Sequence, residues 1–412
     1  MWMDYARCVG CRLHRVLVWR NNFARIYRLF TCFPRAKIVR KSRFEAISRR
    51  MKMTNLTFLL RALITLSAIP PAEAQDPYQL LRQPSDGFAS VMPGRVFTFP
   101  NDHYPHEKFK IEWWYLTANL SDSEGNDFGV HWTLFRQAMN AGINQRGWQS
   151  NQTWMAHAAV STPDSFSFSQ RFARGGIGQS GVERSDTGSF EAWMDDWLWR
   201  SQSDAPFPAL LTAGTENHRF QLALSASDKW VLQGKEGYSQ KSNLGQASYY
   251  YSQPFVEISG TIWVDGAPLE VQGDGWLDRE WSSQPLSGNQ AGWDWISLHL
   301  SDGTALMVYQ LRHDSGEHYI SGSLARQSGQ TTFLEPNDVT LTPVSETTVA
   351  FPDGSRTLPL EWEVSVPSLN IEVSVAAVRA DNWLGTAFPY WEGPVTVEGS
   401  HQGSGYLELT GY

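Results

Sequence analysis

The segment Gly275-Trp276-Leu277-Asp278-Arg279-Glu280-Trp281 places two carboxylates and a large aromatic ring two residues apart. In a strand, side chains alternate in direction, so Trp276, Asp278 and Glu280 share one face and Arg279 points the other way. A carboxylic acid can act as a general acid if it keeps its own proton near neutral pH. An apolar, ring-lined setting favours that state because desolvation penalises the charged form, and a second carboxylate adds repulsion. An electron-rich ring face such as that of Trp276 would steady a cation formed beside it. Asp278 is therefore a candidate proton donor and Glu280 its tuning partner. The plainer alternative is that both carboxylates pair with Arg279 or another arginine at a barrel rim.

Other residues could take part. Glu112 precedes Trp113 and shares a strand face with Trp114 and Leu116. It is a candidate general base for water, or else a salt-bridge partner of Arg136 in the next strand. His131 and His157 each interrupt an apolar strand and could share a barrel interior as ligand contacts, with Trp114 beside them. In Asn101–Glu107, His103 and His106 have H-x-x-H spacing. No helix aligns the two rings, so no metal and no other cofactor is expected there. Asp294 and Glu392 are weaker candidates in the second half of the chain. Gly-x-Ser-x-Gly, P-loop and dinucleotide fingerprints are all missing.

The elements that must position these groups read as strands. Short aromatic and β-branched runs such as "FKIEWWYLTANL", "FGVHWTLFRQ", "VEISGTIWV" and "IEVSVAAV" alternate with turn clusters such as "SDSEGND", "VDGAP" and "PDGS". "FEAWMDDWLW" fits either a short helix or another strand. An internal repeat sets the organisation. Trp113–Asp122 aligns with Trp293–Asp302, and each is followed by a strand ending on arginine, Arg136 or Arg312. Tyr251–Gly260 aligns with Trp391–Gly399, and Gly275–Asp278 with Gly405–Glu408. The chain thus reads as a duplicated all-β unit, Trp113–Ser282 and Trp293–Tyr412. If the last strand of each unit pairs with its first, the sheet closes into an antiparallel barrel. Asp278 then lies in a barrel mouth or at the seam between two barrels.

Composition narrows the partners. The first 74 residues hold 15 of the 34 Lys+Arg, 3 of the 42 Asp+Glu and all three cysteines, Cys8, Cys11 and Cys32. The remaining 338 residues carry 19 basic and 39 acidic side chains, a formal charge of −20. That body has no disulfide to lean on and needs a packed core. Its acidity argues against nucleic acid and against charge-driven docking on anionic membrane. Met51 or Met53 to Ala74 resembles a secretory signal, with Lys52 and Arg61, the apolar run Ala62–Ile69 and the cleavage-like Ala72-Glu73-Ala74. Residues 1–50 then read as upstream sequence from a misplaced start, or as a basic tail. Arg49-Arg50 is a weaker twin-arginine export pair. No segment is long and apolar enough to span a membrane as a helix.

Taken together, "DHYPHEKFKIEWWYLTANL", "MAHAAVS", "ASYYYSQP", "WLDREWSS", "GWDWISLHLSDG" and "YWEGPVTVEG…GYLELTGY" resemble the AttH and carotenoid 1,2-hydratase group, which includes many predicted secreted hydrolases. The resemblance spans residues 95–412. It implies two tandem lipocalin-like β-barrels, residues 95–285 and 290–412, and a cleft for a hydrophobic chain. It also implies water addition to an isoprenoid double bond without metal or organic cofactor. The acid of that chemistry matches Asp278, and its supporting positions fall at Tyr249 and Tyr251. This chain has tyrosine there in place of His and Trp, and Trp276 in place of Tyr. The expectation is an exported, periplasmic or secreted protein with an isoprenoid or lipid-like ligand. It acts as a hydratase, as a non-catalytic carrier, or as a carboxylate-dependent hydrolase.

Overall fold

The computed structural model describes residues 12–20, 23–31 and 78–412. The chain divides into two compact units, Met1–Ala74 and Gln75–Tyr412. In the first, Arg12–Arg20 pairs antiparallel with Phe23–Thr31. The signal-like segment ending at Ala74 lies outside the described residues. No helix among the described residues is long and apolar enough to cross a membrane.

The second unit is all-β and antiparallel. Nine strands build its functional region: β1 (Ile111–Ser121), β2 (Asp127–Ala138), β3 (Gln152–Ser161), β4 (Ala247–Val264), β5 (Ala267–Ser282), β6 (Gln290–Leu300), β7 (Thr304–His313), β8 (Tyr390–Gly399) and β9 (Gly403–Thr410). β1–β5 belong to one sheet and β6–β9 to another. The first carries the order β3-β2-β1-β5-β4 and the second β7-β6-β9-β8. Each half thus places its last strand between its first and its next-to-last, so the sequence repeat is also a repeat of topology. "FEAWMDDWLW" resolves as a hairpin, Phe190–Met194 with Trp197–Ser201, turning at Asp195 with φ +54°. Short polar residues adopt that left-handed geometry most readily, which decides against the helix.

The first sheet curls into a nearly closed barrel and the second into a half-barrel. The terminal strands of the first sheet, Phe166–Arg174 and Ser180–Arg184, do not pair with each other. Neither do those of the second, Thr331–Leu334 and Thr340–Phe351. Period-two alternation decides what each face meets. Trp114, Leu116, Ala118 and Leu120 point into the core of the first sheet with Trp132 and Trp199. Ile296, Leu298, Trp362 and Trp391 fill the second. Tyr115, Trp276, Trp295, Tyr309 and Tyr406 sit on the opposite strand faces and form a third cluster. A fully buried indole contributes roughly 4–6 kcal/mol at ~25 cal/mol/Å² over about 200 Å². Trp132, Trp199 and Trp362 alone therefore match the whole net stability of a typical domain, about 5–15 kcal/mol, before entropy is counted. A body without disulfides can stand on such a core.

The repeat also explains its glycines. Gly273 and Gly403 open the matched motifs GDGWLD and GSGYLE. A Cβ at Gly273 would lie 2.1 Å from the Asn119 carbonyl oxygen, and one at Gly403 would lie 2.0 Å from that of His299. Only glycine lets β5 press onto β1 and β9 onto β6 at these points. The aromatic and carboxylate that follow in each motif are thereby set against the third cluster.

Candidate active site

A cavity of about 200 Å³ opens between the two sheets. Its walls are apolar and aromatic, with Trp113, Tyr115 and Tyr250 from the first sheet and Trp293, Trp295 and Tyr390 from the second. Tyr78 and Leu81 cover part of it. The Tyr78 hydroxyl donates to the Pro389 carbonyl at 2.7 Å, and its ring meets Trp293 edge-on at 5.9 Å. Within this lining stand three carboxylates, Asp278, Glu280 and Glu408, and one ammonium, Lys241.

Asp278 lies on β5 opposite Ser252 of β4 and Tyr115 of β1. Its carboxyl group has three neutral donors. Ser252 Oγ donates to Oδ1 at 2.5 Å, Trp276 Nε1 to Oδ1 at 2.7 Å and Tyr250 Oη to Oδ2 at 2.5 Å. Trp295 Nε1 in turn donates to the Tyr250 oxygen at 3.2 Å. Among the described residues, no guanidinium reaches Asp278. Burial pushes its pKa up to about 7, and the Glu280 charge adds to that, although the three hydrogen bonds pull the other way. Glu280, one register step away, is treated differently. Lys241 Nζ lies 2.9 Å from its Oε1, and Ser248 donates to the same oxygen. The site therefore holds one carboxylate paired with an ammonium beside one whose charged form burial disfavours.

Glu408 occupies the matching place on β9. It lies opposite Trp295 and Glu392, as Asp278 lies opposite Tyr115 and Ser252. Trp293 Nε1 donates to its Oε1 at 2.9 Å. Burial raises its pKa to about 8, with the charges of Asp278 and Glu280 acting in the same direction. Behind it, Glu392 takes a 2.5 Å hydrogen bond from Tyr115. His131 Nδ1 is 3.3 Å from the other Glu392 oxygen. Tyr390 links His131 Nε2 (3.1 Å) to His157 Nδ1 (2.8 Å). Burial drives both imidazoles toward the neutral form, His157 to a pKa of about 3.

Residues 90–412 match the AttH-like family model. The chain belongs to the AttH-like family. The fold of this AttH-like protein is shared with an AttH protein of Nitrosomonas europaea, at 33% identity and TM-score 0.68 over 79% of this chain and 100% of that one. It is also shared with kievitone hydratase of Nectria haematococca, at 15% identity and TM-score 0.58 over 78% of this chain and 95% of that one. No curated protein matches the sequence.

The AttH-like chain redistributes several expected site residues. Asp278, Glu280 and Trp276 do share a face, and Arg279 does point away. Tyr249 and Tyr251 do not line the cavity. They pack with Phe109 and Trp281 on the other face of β4. The register Tyr250↔Glu280 and Ser252↔Asp278 puts the even-numbered residues on the cavity side, so Tyr250 takes the role expected of its neighbours. Trp114 is likewise turned inward, under the Arg279 guanidinium at 3.7 Å, while Trp113 lines the cavity.

Glu112 is not free to activate water. It is fully buried, with Arg279 at 2.5 Å and Arg136 on its other oxygen. Burial alone would raise its pKa, but the two arginines hold it well below the usual carboxylate range. His131 and His157 face the seam through Glu392 and Tyr390, not a barrel interior, because they sit on the strand faces opposite Trp132 and Ala156. Asp294 is engaged by Arg312, Gln310 and Tyr412, away from the cavity lining. His103 and His106 diverge, one to Tyr251 at 2.6 Å and the other between Asp102 and Glu112. Among the described residues, no group of three or more His, Cys, Asp or Glu is placed to hold a metal ion. Glu408 was not foreseen as a site residue, although its alignment with Asp278 in GWLD and GYLE was the signal that marks it.

Proposed function

We propose that this protein holds an isoprenoid or other lipid-like chain in the seam cavity and adds water across one of its C=C bonds. The observation that carries the reading is Asp278. It is a buried carboxyl group, held by three neutral donors and, among the described residues, paired with no cation, in a setting where burial disfavours its charged form. Such an acid can protonate an alkene carbon, forming a C–H bond and a cation that water then traps. The rings of Trp113, Trp293 and Trp295 supply negative faces around that cation. Lys241 pairs with Glu280, which gives the carboxylate beside Asp278 its own counter-charge. A fold shared with a hydratase is consistent with this chemistry, and the Asp278 environment gives it a physical basis. Export of the protein is part of the proposal, on the Ala72-Glu73-Ala74 pattern.

A non-catalytic carrier would use the same apolar cavity without Asp278 chemistry. The experiment compares wild-type protein with Asp278→Asn, after lipid extraction and native mass spectrometry identify what the exported protein carries. Retained binding with abolished hydration supports the acid role. Equal turnover in the variant removes it and leaves the carrier.

A further inference from the structure

Asp278 has a counterpart on the facing wall. The two halves repeat the same local design: a Gly-x-Gly, an aromatic, a leucine and then an acid, Asp278 on β5 and Glu408 on β9. Both acids line one cavity, and among the described residues neither is met by a guanidinium. Their hydrogen bonding differs. Asp278 receives three hydrogen bonds within its own sheet, whereas Glu408 has its Oε1 held by the Trp293 indole. Around Glu408 stand Asp278 and Glu280 from β5, Lys241 from the loop before β4, Tyr115 from β1, and Glu392 and Tyr390 from β8. Lys241 is engaged by Glu280. Glu392 is tied to Tyr115, with His131 beside it.

We propose that Glu408 is the second catalytic carboxylate of this site, accepting the proton of the water that adds while Asp278 protonates carbon from the opposite wall. The inference rests on the hydration reading above. The Asp278 O–H bond breaks, its proton takes the alkene π pair to form C–H, and the neighbouring carbon becomes cationic. A water lone pair forms C–O, and the O–H proton of that water passes to Glu408. The sum is alkene plus water to alcohol, with one proton moved from the first wall to the second. Like charges sharing one cavity disfavour ionising both groups, so the pair holds one proton, and the step runs from the state in which that proton sits on Asp278, although burial favours its residence on Glu408.

The test uses the full chain, farnesol as the alkene probe and ¹⁸O-labelled water, with wild type, Asp278→Asn, Glu408→Gln and Glu408→Asp. The expected result for Glu408→Gln is a loss of about 10²–10⁴-fold in kcat. Farnesol binding, read by tryptophan quenching, stays within about threefold, and Glu408→Asp recovers part of the rate. Activity of Glu408→Gln within about threefold of wild type, with Asp278→Asn inactive, overturns the Glu408 assignment and leaves hydration standing. If wild type leaves farnesol unchanged, hydration of this probe fails. The pair is then judged by infrared titration of the carboxyl C=O band. Asp278→Asn must lower the Glu408 midpoint, and a midpoint that stays put overturns the pairing.

Discussion

Replacing Asp278 by Asn should flatten the pH dependence of stability, by an amount the structure sets. Folding raises the Asp278 pKa from 3.8 to about 7. A group raised on folding binds its proton more tightly in the native state. Its contribution is therefore fully present below about pH 4 and is lost as pH rises through about 7. Roughly three pKa units at about 1.4 kcal/mol each give on the order of 4 kcal/mol in total, of which about 2–3 kcal/mol falls between pH 5 and pH 8. Asparagine has nearly the same shape. Its oxygen can accept from Ser252 and Trp276, and its amide can donate to the Tyr250 oxygen. Its charge never changes. Urea denaturation of both proteins at pH 5, 6, 7 and 8 supplies the measurement. The stability of wild type relative to the variant should fall by about 2–3 kcal/mol across that range. Relief of Glu408 in the variant acts in the same direction. A relative stability constant to within about 0.5 kcal/mol would show that Asp278 is already ionised at pH 5, and the proton-donor argument would fail with it.

Three further outcomes follow from other contacts. Tyr250→Phe removes a donor that stabilises the charged form of Asp278. Its stability cost should be roughly 1.5–3 kcal/mol at pH 9 and clearly smaller at pH 5, with the carboxyl midpoint moving up in infrared titration. Glu112→Gln leaves Arg136 and Arg279 buried without a counter-charge and should cost about 3–5 kcal/mol in urea unfolding at pH 7. Because Glu112 is lowered on folding, its stabilisation is present above about pH 4.5 and is lost as pH falls, so the difference between variant and wild type narrows on acidification. Gly405→Ala drives a Cβ to 1.9 Å from the Ser297 carbonyl oxygen. It should destabilise by about 1–3 kcal/mol or more, seen as a lower thermal midpoint.

The all-β class, the duplication and the identity of Asp278 were legible because alternation and repetition are local properties of the sequence. What escaped was strand parity. Around "SYYYS", three consecutive tyrosines present aromatic character to both faces, and only the cross-strand register Ser252↔Asp278 shows that Tyr250 is the one at the cavity. The same ambiguity governs Trp113 and Trp114, of which the first lines the cavity and the second packs inward. Glu112 and Asp278 are both carboxylates beside tryptophan in sequence. They part company because Arg136 of the next strand and Arg279, which alternation turns away from Asp278, both close on Glu112; the Arg136 pair was readable from the hairpin, whereas the reach of Arg279 across to β1 needed the register.

The location of the cavity follows from how the two sheets are filled. Each concave interior is occupied by its own side chains: Trp132, Trp199 and Leu222 in the first, Trp362, Val375 and Leu407 in the second. A lipocalin-like barrel that stored its ligand inside would need small residues at those positions. Here large rings stand there with 0–1% exposure. The outer faces of β1, β5, β6 and β9 cannot be left to water either, because they carry Tyr115, Trp276, Trp295 and Tyr406. Bringing the two faces together buries these rings. Two convex sheets cannot touch everywhere, so a gap lined by the same rings remains. The repeat then forces an acid from each half toward that gap, since GWLD and GYLE occupy equivalent strands in equivalent registers. A cavity with a matched acid on each wall is thus a consequence of duplication followed by face-to-face packing. The unlike environments of Asp278 and Glu408 are where the two copies have diverged.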